Sequence, residues 1–345
     1  MAHSAKSRKN MNSFGNRFVF TSFGESHGLA IGGVLDGVPA GLAIDMAMIR
    51  RELDRRAGRA SKSFAERKLI AGGDAHDKSI CTTCTPGHMK EDFASGASAR
   101  AKREEDEVEW LSGMMDGVTL GTPIAFIIRN QDARPKDYEW LKHNYRAGHA
   151  DWTYQQKYGI RDWRGGGRAS ARETAGRVVA GCIAKQLLRR KGIHIEAQLV
   201  QVGNETDPTR FGELIRAVQA EGDSIGGIVR CTITGVPVGI GEPIFNKLQA
   251  ELAFAMMSIN ACKGFDYGSG FEGVGLKGSE ANLTSGGMAG GIADGTPITF
   301  RCVFKPTPSI AKWGVRGRHD ACVAVRAVPV VEAMAAMAVM QFVNY

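Results

Sequence analysis

Short apolar runs broken by glycine set the pattern of this chain. Phe18 to Ser22 and Ile31 to Leu35 are β-forming runs bounded by GESHG and DGVPAG, which predicts two strands linked through Gly-rich turns. Asp45 stands just before a helical pattern and predicts an N-cap for a helix over about residues 46 to 56, with Arg50, Arg51, Arg55 and Arg56 on its polar face. Val108 to Met114 and Ile124 to Ile128 predict two further strands. From Ala171 to Arg190 the apolar positions recur at helical spacing. Ala175, Val178, Val179, Cys182, Ile183 and Leu187 fall on one face, and Gly192 supplies the stop. The methionines between 333 and 340 repeat at similar spacing and read as core filling rather than as a cofactor motif.

The pattern also repeats. GVP at 37 to 39 and GTPI at 121 to 124 recur as GVP at 235 to 237 and GTPI at 295 to 298. Each GVP precedes a helical pattern and each GTPI opens a strand, so the chain reads as two related halves, about 11–195 and 196–345, within one domain. The first pair lies farther apart, which an insertion at about 60–100 would explain. Residues 1–10 read as a flexible leader.

Composition narrows the class. The chain has 345 residues, 43% hydrophobic and 23% charged, enough to bury a sizeable core. No apolar run approaches the ~20 residues of a membrane span, and the N-terminus lacks the apolar segment of a signal peptide, so a cytoplasmic location is expected with no membrane partner. Seven cysteines, mostly inside apolar runs, read as reduced, packed thiols. A net charge of +8 favours anionic partners. The basic residues sit in Gly-rich stretches rather than in a basic helix or tail, and this favours a small anion over nucleic acid.

Candidate chemistry concentrates at 145 to 176, YRAGHADWTYQQKYGIRDWRGGGRASARETAG. Gly165, Gly166 and Gly167 can adopt positive φ, Arg164 and Arg168 flank them, and Ser170 to Glu173 has capping-box spacing. A helix start presenting free amides beside arginines suits a phosphate or other anion, although an ordinary Gly-rich turn before a capped helix would have the same spelling. A Walker motif is missing. His27, in GESHG with small neighbours, and His149, in GHAD, are proton-donor candidates near neutral pH, or structural histidines. Asp320 in GRHD is a candidate base held ionised by Arg318, or a surface ion pair. The segment CTTCTPGH offers Cys81, Cys84 and His88, a weak metal signal without a second ligand pair, so no metal is expected.

These strings resemble the chorismate synthase family. The resemblance rests on RAGHADWTYQQKYG followed by RGGGRASARET, on GESHGLAIGGVLDGVPAG at 24 to 41, and on GRHDACVAVRAVPVVEAM at 317 to 334. It covers about Phe14 to the C-terminus. It implies an α+β fold, a sandwich with a helical layer between two antiparallel β-sheets and an internal pseudo-repeat, assembled as a homotetramer. It also implies a reaction, the anti-1,4-elimination of phosphate from 5-enolpyruvylshikimate 3-phosphate to chorismate, requiring reduced FMN, with NADPH as a candidate reductant. Residue by residue, it implies that His27 protonates the departing phosphate, with Ser26 beside it, that His149 lies near the flavin, and that Asp320 relays a proton at flavin N5. Arg168, Ala169, Ser170, Asn260, Ala261, Gly295, Lys305, Pro306, Thr307, Pro308, Ser309 and Arg318 match flavin contacts, and Arg56 matches an arginine of substrate or NADP binding.

The chain departs from the family pattern in four places. DRRAG stands for RRRPG, GRHDAC for GRHDPC, the loop before the Gly-Gly pairs at 286 to 291 is short, and KPTPS is joined to GRHD by a shortened segment. Two other functions compete with the enzyme: a single-strand nucleic-acid binder using the aromatics and arginines at 152 to 168, and a family member that binds flavin without turnover.

Overall fold

The computed structural model describes residues 12–59, 104–282, 284–314 and 320–344. The leader, the suspected insertion with Cys81, Cys84 and His88, and Arg318 lie outside these residues.

Two antiparallel sheets carry the fold. The first contains β1 (Ser13–Phe14), β2 (Val19–Gly24), β3 (Ala30–Asp36), β4 (Val108–Trp110) and β7 (Ile124–Arg129), in the order β1-β2-β3-β7-β4. The short strands β5 (Met114–Met115) and β6 (Val118–Thr119) form a separate ribbon. The second sheet, β8 (His194–Val202), β9 (Gly227–Thr234), β10 (Cys262–Tyr267) and β13 (Ile298–Phe304), runs β8-β9-β13-β10, with β11 (Met288–Ala289) and β12 (Ile292–Ala293) as its own ribbon. The orders β2-β3-β7-β4 and β8-β9-β13-β10 correspond strand for strand. Alternation explains the inward faces: Ile124, Phe126 and Ile128 of β7 are fully buried, as are Val229, Cys231 and Ile233 of β9. Each such side chain contributes roughly 1.5–3 kcal/mol on burial.

The main helices are α1 (Met46–Ala57), α2 (Asp151–Tyr158), α3 (Thr174–Arg189), α4 (Phe211–Ala220), α5 (Leu248–Met257) and α6 (Ala324–Val339). Helix α3 packs on β2, β3 and β7, α6 packs on β8 and β9, and the two helices pack on each other. A Cβ at Gly181 would overlap Ala333, so glycine is what lets α3 and α6 approach this closely. The α+β class is therefore observed. Among the described residues no helix is long and apolar enough to cross a membrane.

Local signals from the sequence hold where they are short-range. Asp45 Oδ1 accepts from the Met48 amide at 2.8 Å and caps α1, while Gly192 with φ 75° follows α3. Met334, Met337 and Met340 are fully buried core. Cys182, Cys231, Cys262, Cys302 and Cys322 are free and buried.

Three expectations are corrected. The strand expected over Val108 to Met114 stops at Trp110, because Gly113 with φ 81° turns the chain into the β5–β6 ribbon. The helix expected from Ala171 opens as a 3-10 turn, and α3 starts at Thr174. Apart from Arg177 and Arg189 it is buried, Lys185 and Gln186 included, because it is covered by α1, α6 and both sheets. The arginines of α1 do not share a solvent face: Arg56 is 1% exposed, and Arg55 reaches Glu332 on α6.

Candidate active site

The glycine triplet is where the two candidate histidines meet. Gly165, Gly166 and Gly167 have φ of 62°, 95° and 53°, a run that side chains with a Cβ rarely adopt. A Cβ on Gly165 would overlap the His27 ring, and one on Gly166 would lie 2.9 Å from His149 Cε1. Space for both imidazoles therefore exists because these positions lack side chains. The triplet is tied to GESHG: the Ser26 amide donates to Gly167 O at 3.4 Å, and Arg168 donates to Gly24 O at 2.9 Å and Ser22 Oγ at 2.8 Å.

The small neighbours of His27 in GESHG suggest an accessible ring, yet it is 6% exposed: Tyr138 stacks edge-on at 4.8 Å and Gly165 closes another side. Its Nδ1 lies 3.1 Å from Ser26 Oγ. His149 Nδ1 lies 2.9 Å from Asp151 Oδ1, at the first residue of α2. Asp151 also holds Arg146 through its Nε at 2.8 Å and Nη2 at 2.9 Å. Burial works against the Asp151 charge, but the hydrogen bonds from Arg146 and His149 outweigh it and hold the carboxyl well below its usual range.

The capping box is half formed. Ser170 Oγ accepts from the Arg172 amide at 3.3 Å, while Glu173 turns away to Arg177 at 3.0 Å. The Arg172 side chain ion-pairs with Asp106 and donates to Asn130 Oδ1 at 3.0 Å. Arg56 joins the same carboxylate at 3.3 Å and donates to Thr174 Oγ1 at 2.9 Å and Ala171 O at 2.8 Å. Burial and the positive charges of Arg326 and Arg172 outweigh Asp106 and Asp320 and push the Arg56 guanidinium down to about 9. Asp320 is gripped through both oxygens by Arg326 Nη1, at 3.0 and 2.8 Å. Arg318, the cation expected beside it, lies outside the described residues; Arg326 comes from the first turn of α6.

A cavity of about 410 Å³ lies among these groups, within the usual size of a small-molecule site. It brings together His27, Arg56, His149, Ala169, Ser170, Asn260, Ala261, Lys305, Thr307, Pro308, Ser309 and Asp320 of the sequence-predicted set. Pro306 lines an adjoining cavity that shares Gly148, Thr307 and Pro308. Ser26 stands behind His27. Arg168 is turned into β2, and Gly295, φ 87°, lies by Val238; neither lines the cavity.

Sequence reasoning missed Tyr138, Arg146, Tyr154, Arg172, Glu104 and Arg326, which also line it. Arg146, Tyr154 and Arg172 fall inside the dense 145 to 176 stretch, so its spelling carried the signal. Glu104 and Asp106 carried none, since their partners are distant in sequence. Among the described residues no group of three or more His, Cys, Asp or Glu could hold a metal.

Three comparisons agree with one another. The sequence model of the family described as Chorismate synthase matches residues 18–86 and 88–343. A chorismate synthase of Phocaeicola vulgatus is 42% identical over 382 aligned positions, covering 96% of this chain and 97% of that protein. One from Azobacteroides pseudotrichonymphae is 43% identical, covering 97% and 99%. A crystal structure of a chorismate synthase superposes with a TM-score of 0.68 at 27% identity, covering 95% of this chain and 92% of that one.

Proposed function

The chain belongs to the chorismate synthase family, a family of lyases, and from that premise we propose that its cavity eliminates phosphate from 5-enolpyruvylshikimate 3-phosphate to give chorismate. The observation that carries this reading is a pair of histidines pressed onto the glycine triplet beside Arg56, Arg146, Arg172, Lys305 and Arg326. A substrate with one phosphate and two carboxylates needs such a concentration of cations.

The donor set also fits a flavin. Asn260 Oδ1 is buried without a hydrogen-bond partner among the described residues, an acceptor that an N–H of a ligand would satisfy. Asn260, Ala261, Lys305, Thr307, Pro308 and Ser309 would hold reduced FMN, with Ala169 and Ser170 opposite. When bound, reduced FMN supplies the electron chemistry of an elimination that has no net redox change. The protein's own part is proton and charge handling. His27 gives a proton to the phosphate oxygen as its bond to the ring carbon breaks, and the arginines stabilise the charge left there. His149 holds a proton at the same cavity. Asp320, fixed by Arg326, is the carboxylate placed to take one up.

The finer expectations belong to the same proposal. A helical layer between two sheets is supported by α3 packing on the first sheet and α6 on the second, and a pseudo-repeat by the matching strand orders. A homotetramer is supported by exposed Ile244, Phe245, Phe254 and Met257. A cytoplasmic location, and NADPH acting near Arg56, complete it.

Anaerobic incubation with substrate and FMN, with NADPH or dithionite as reductant, tests the function. Chorismate and phosphate are expected in equal amounts only with reduced flavin, and turnover with oxidised flavin would overturn the reading. His27→Ala and His149→Ala are each expected to lower turnover by ~10²–10⁴-fold.

A further inference from the structure

Asp151 makes more contacts than an ion pair with Arg146 requires. It is 3% exposed and receives three hydrogen bonds from Arg146, with a ring nitrogen of His149 in contact with the same carboxylate. The Arg146 amide reaches Oδ2 at 3.0 Å, Arg146 Nε reaches Oδ2 at 2.8 Å, Arg146 Nη2 reaches Oδ1 at 2.9 Å, and His149 Nδ1 lies 2.9 Å from Oδ1. A carboxylate surrounded in this way is ionised and can only accept hydrogen bonds. A nitrogen 2.9 Å from it must therefore carry the hydrogen. Arg146 Nη2 is also 3.2 Å from the same Nδ1, which would make that nitrogen an acceptor, but its contact with Asp151 Oδ1 is shorter, at 2.9 Å, and the charged carboxylate is the better acceptor for it. The proton of a neutral His149 thus sits on Nδ1, and Nε2 is left as the atom that exchanges protons with the cavity. His27 offers a contrast: its Nδ1 faces the Ser26 hydroxyl, which donates or accepts equally well and fixes neither tautomer.

We infer that Asp151 is a positioning residue, which sets the tautomer of His149 and orients the Arg146 guanidinium through one carboxylate. The inference rests on the function proposed above for its catalytic consequence, but not for the tautomer itself. The logic is that of a buried carboxylate behind a catalytic imidazole, which holds the ring in one tautomer without itself taking the proton.

Long-range ¹⁵N–¹H spectra of histidine-labelled protein, with His149 assigned by a His149→Gln variant, read the tautomer directly. In the native protein the neutral ring is expected to show a protonated Nδ1 and an unprotonated Nε2. In Asp151→Asn the Nε2–H form is expected to grow, and kcat with reduced FMN to fall on the order of 10²-fold. Arg146→Gln separates the two roles: it should raise KM while the Nδ1–H tautomer persists. If Asp151→Asn keeps both the native tautomer and kcat within about threefold, the inference is wrong. If Asp151→Asn does not fold, the native spectrum decides alone, and a proton on Nε2 of the neutral ring overturns it. Native protein that shows the Nδ1–H tautomer yet makes no chorismate would refute the proposed function and leave the tautomer assignment standing.

Discussion

Arg55 and Arg56 are consecutive on α1, yet their charges are shifted in opposite directions. Arg55, with 38% of its side chain still exposed, reaches Glu332 on α6 at 3.0 Å and Glu52 one turn back. Burial works against its charge, but Glu332 and Glu52 outweigh it and hold Arg55 above its ordinary value. Lys185 completes this group by bonding Glu332, whose second oxygen accepts the Ala197 amide at 3.0 Å. Two cations meet two carboxylates, and the cluster is closed. Arg56 points about a hundred degrees away round the helix, into a group where Arg172 and Arg326 crowd it, and it is pushed down to about 9.

The difference separates two uses of buried charge. In the closed cluster each ion has opposite charge around it, and the group welds α1, α3 and α6 together. In the open cluster Arg56, Arg172 and Arg326 stand together with Asp106, Asp320 and Glu104 at the wall of a cavity, where a guanidinium group has a ligand as well as a carboxylate within reach. Burial and neighbouring guanidinium groups lower Arg56, and its place in the cavity wall, which Arg55 does not share, is what marks it as a binding-site residue.

The sharpest way to break this comparison is to remove the keystone of the closed cluster. Glu332→Gln leaves Arg55 and Lys185 facing an uncharged group and is expected to cost ~3–5 kcal/mol of stability, read from denaturant midpoints. Turnover per folded molecule should stay at the native value. Arg56→Met is the counterpart. It should lower kcat/KM on the order of 10²-fold, as loss of a hydrogen bond to a charged group at ~1.5–3 kcal/mol implies, while costing less stability than Glu332→Gln, because Arg172 still neutralises Asp106.

The acid limb sharpens the same contrast. Burial opposes the Glu332 charge, but Arg55 and Lys185 bring the carboxyl down from 4.5 to about 2. A depressed carboxylate contributes stability that is present above its ordinary value and is lost as pH falls from about 4.5 toward about 2. Thermal melts of the native protein should decline across that window, and Glu332→Gln should decline less steeply. The smallest effect is expected outside both clusters: Arg129→Gln breaks an exposed pair with Glu109 and should leave melting and turnover unchanged.

The closed cluster was illegible in the sequence for a physical reason. Glu332 sits in an apolar run and Lys185 in a helix whose other residues are core, and only the packing of α3 on α6 joins them. Arg55 and Arg56 looked alike because a helical wheel gives an angle and says nothing of what waits there. The Asp45 cap, the positive φ of the glycine triplet and the stop at Gly192 were legible because each is decided within a few residues. The candidate site lies between these cases. GESHG, GHAD and RGGGR announced themselves by composition, and the cavity does gather His27 and His149. Arg326 as the partner of Asp320 was hidden six residues away in a helix, and Gly295 was carried over to a place the cavity does not reach.

Calorimetric titration of 5-enolpyruvylshikimate 3-phosphate into native, Arg56→Met and Glu332→Gln protein, each with FMN present, tests the central claim most directly. The account predicts that Glu332→Gln binds as the native protein does and that Arg56→Met binds on the order of 10²-fold more weakly. Equal affinities for native and Arg56→Met protein, or a loss confined to Glu332→Gln, would contradict it.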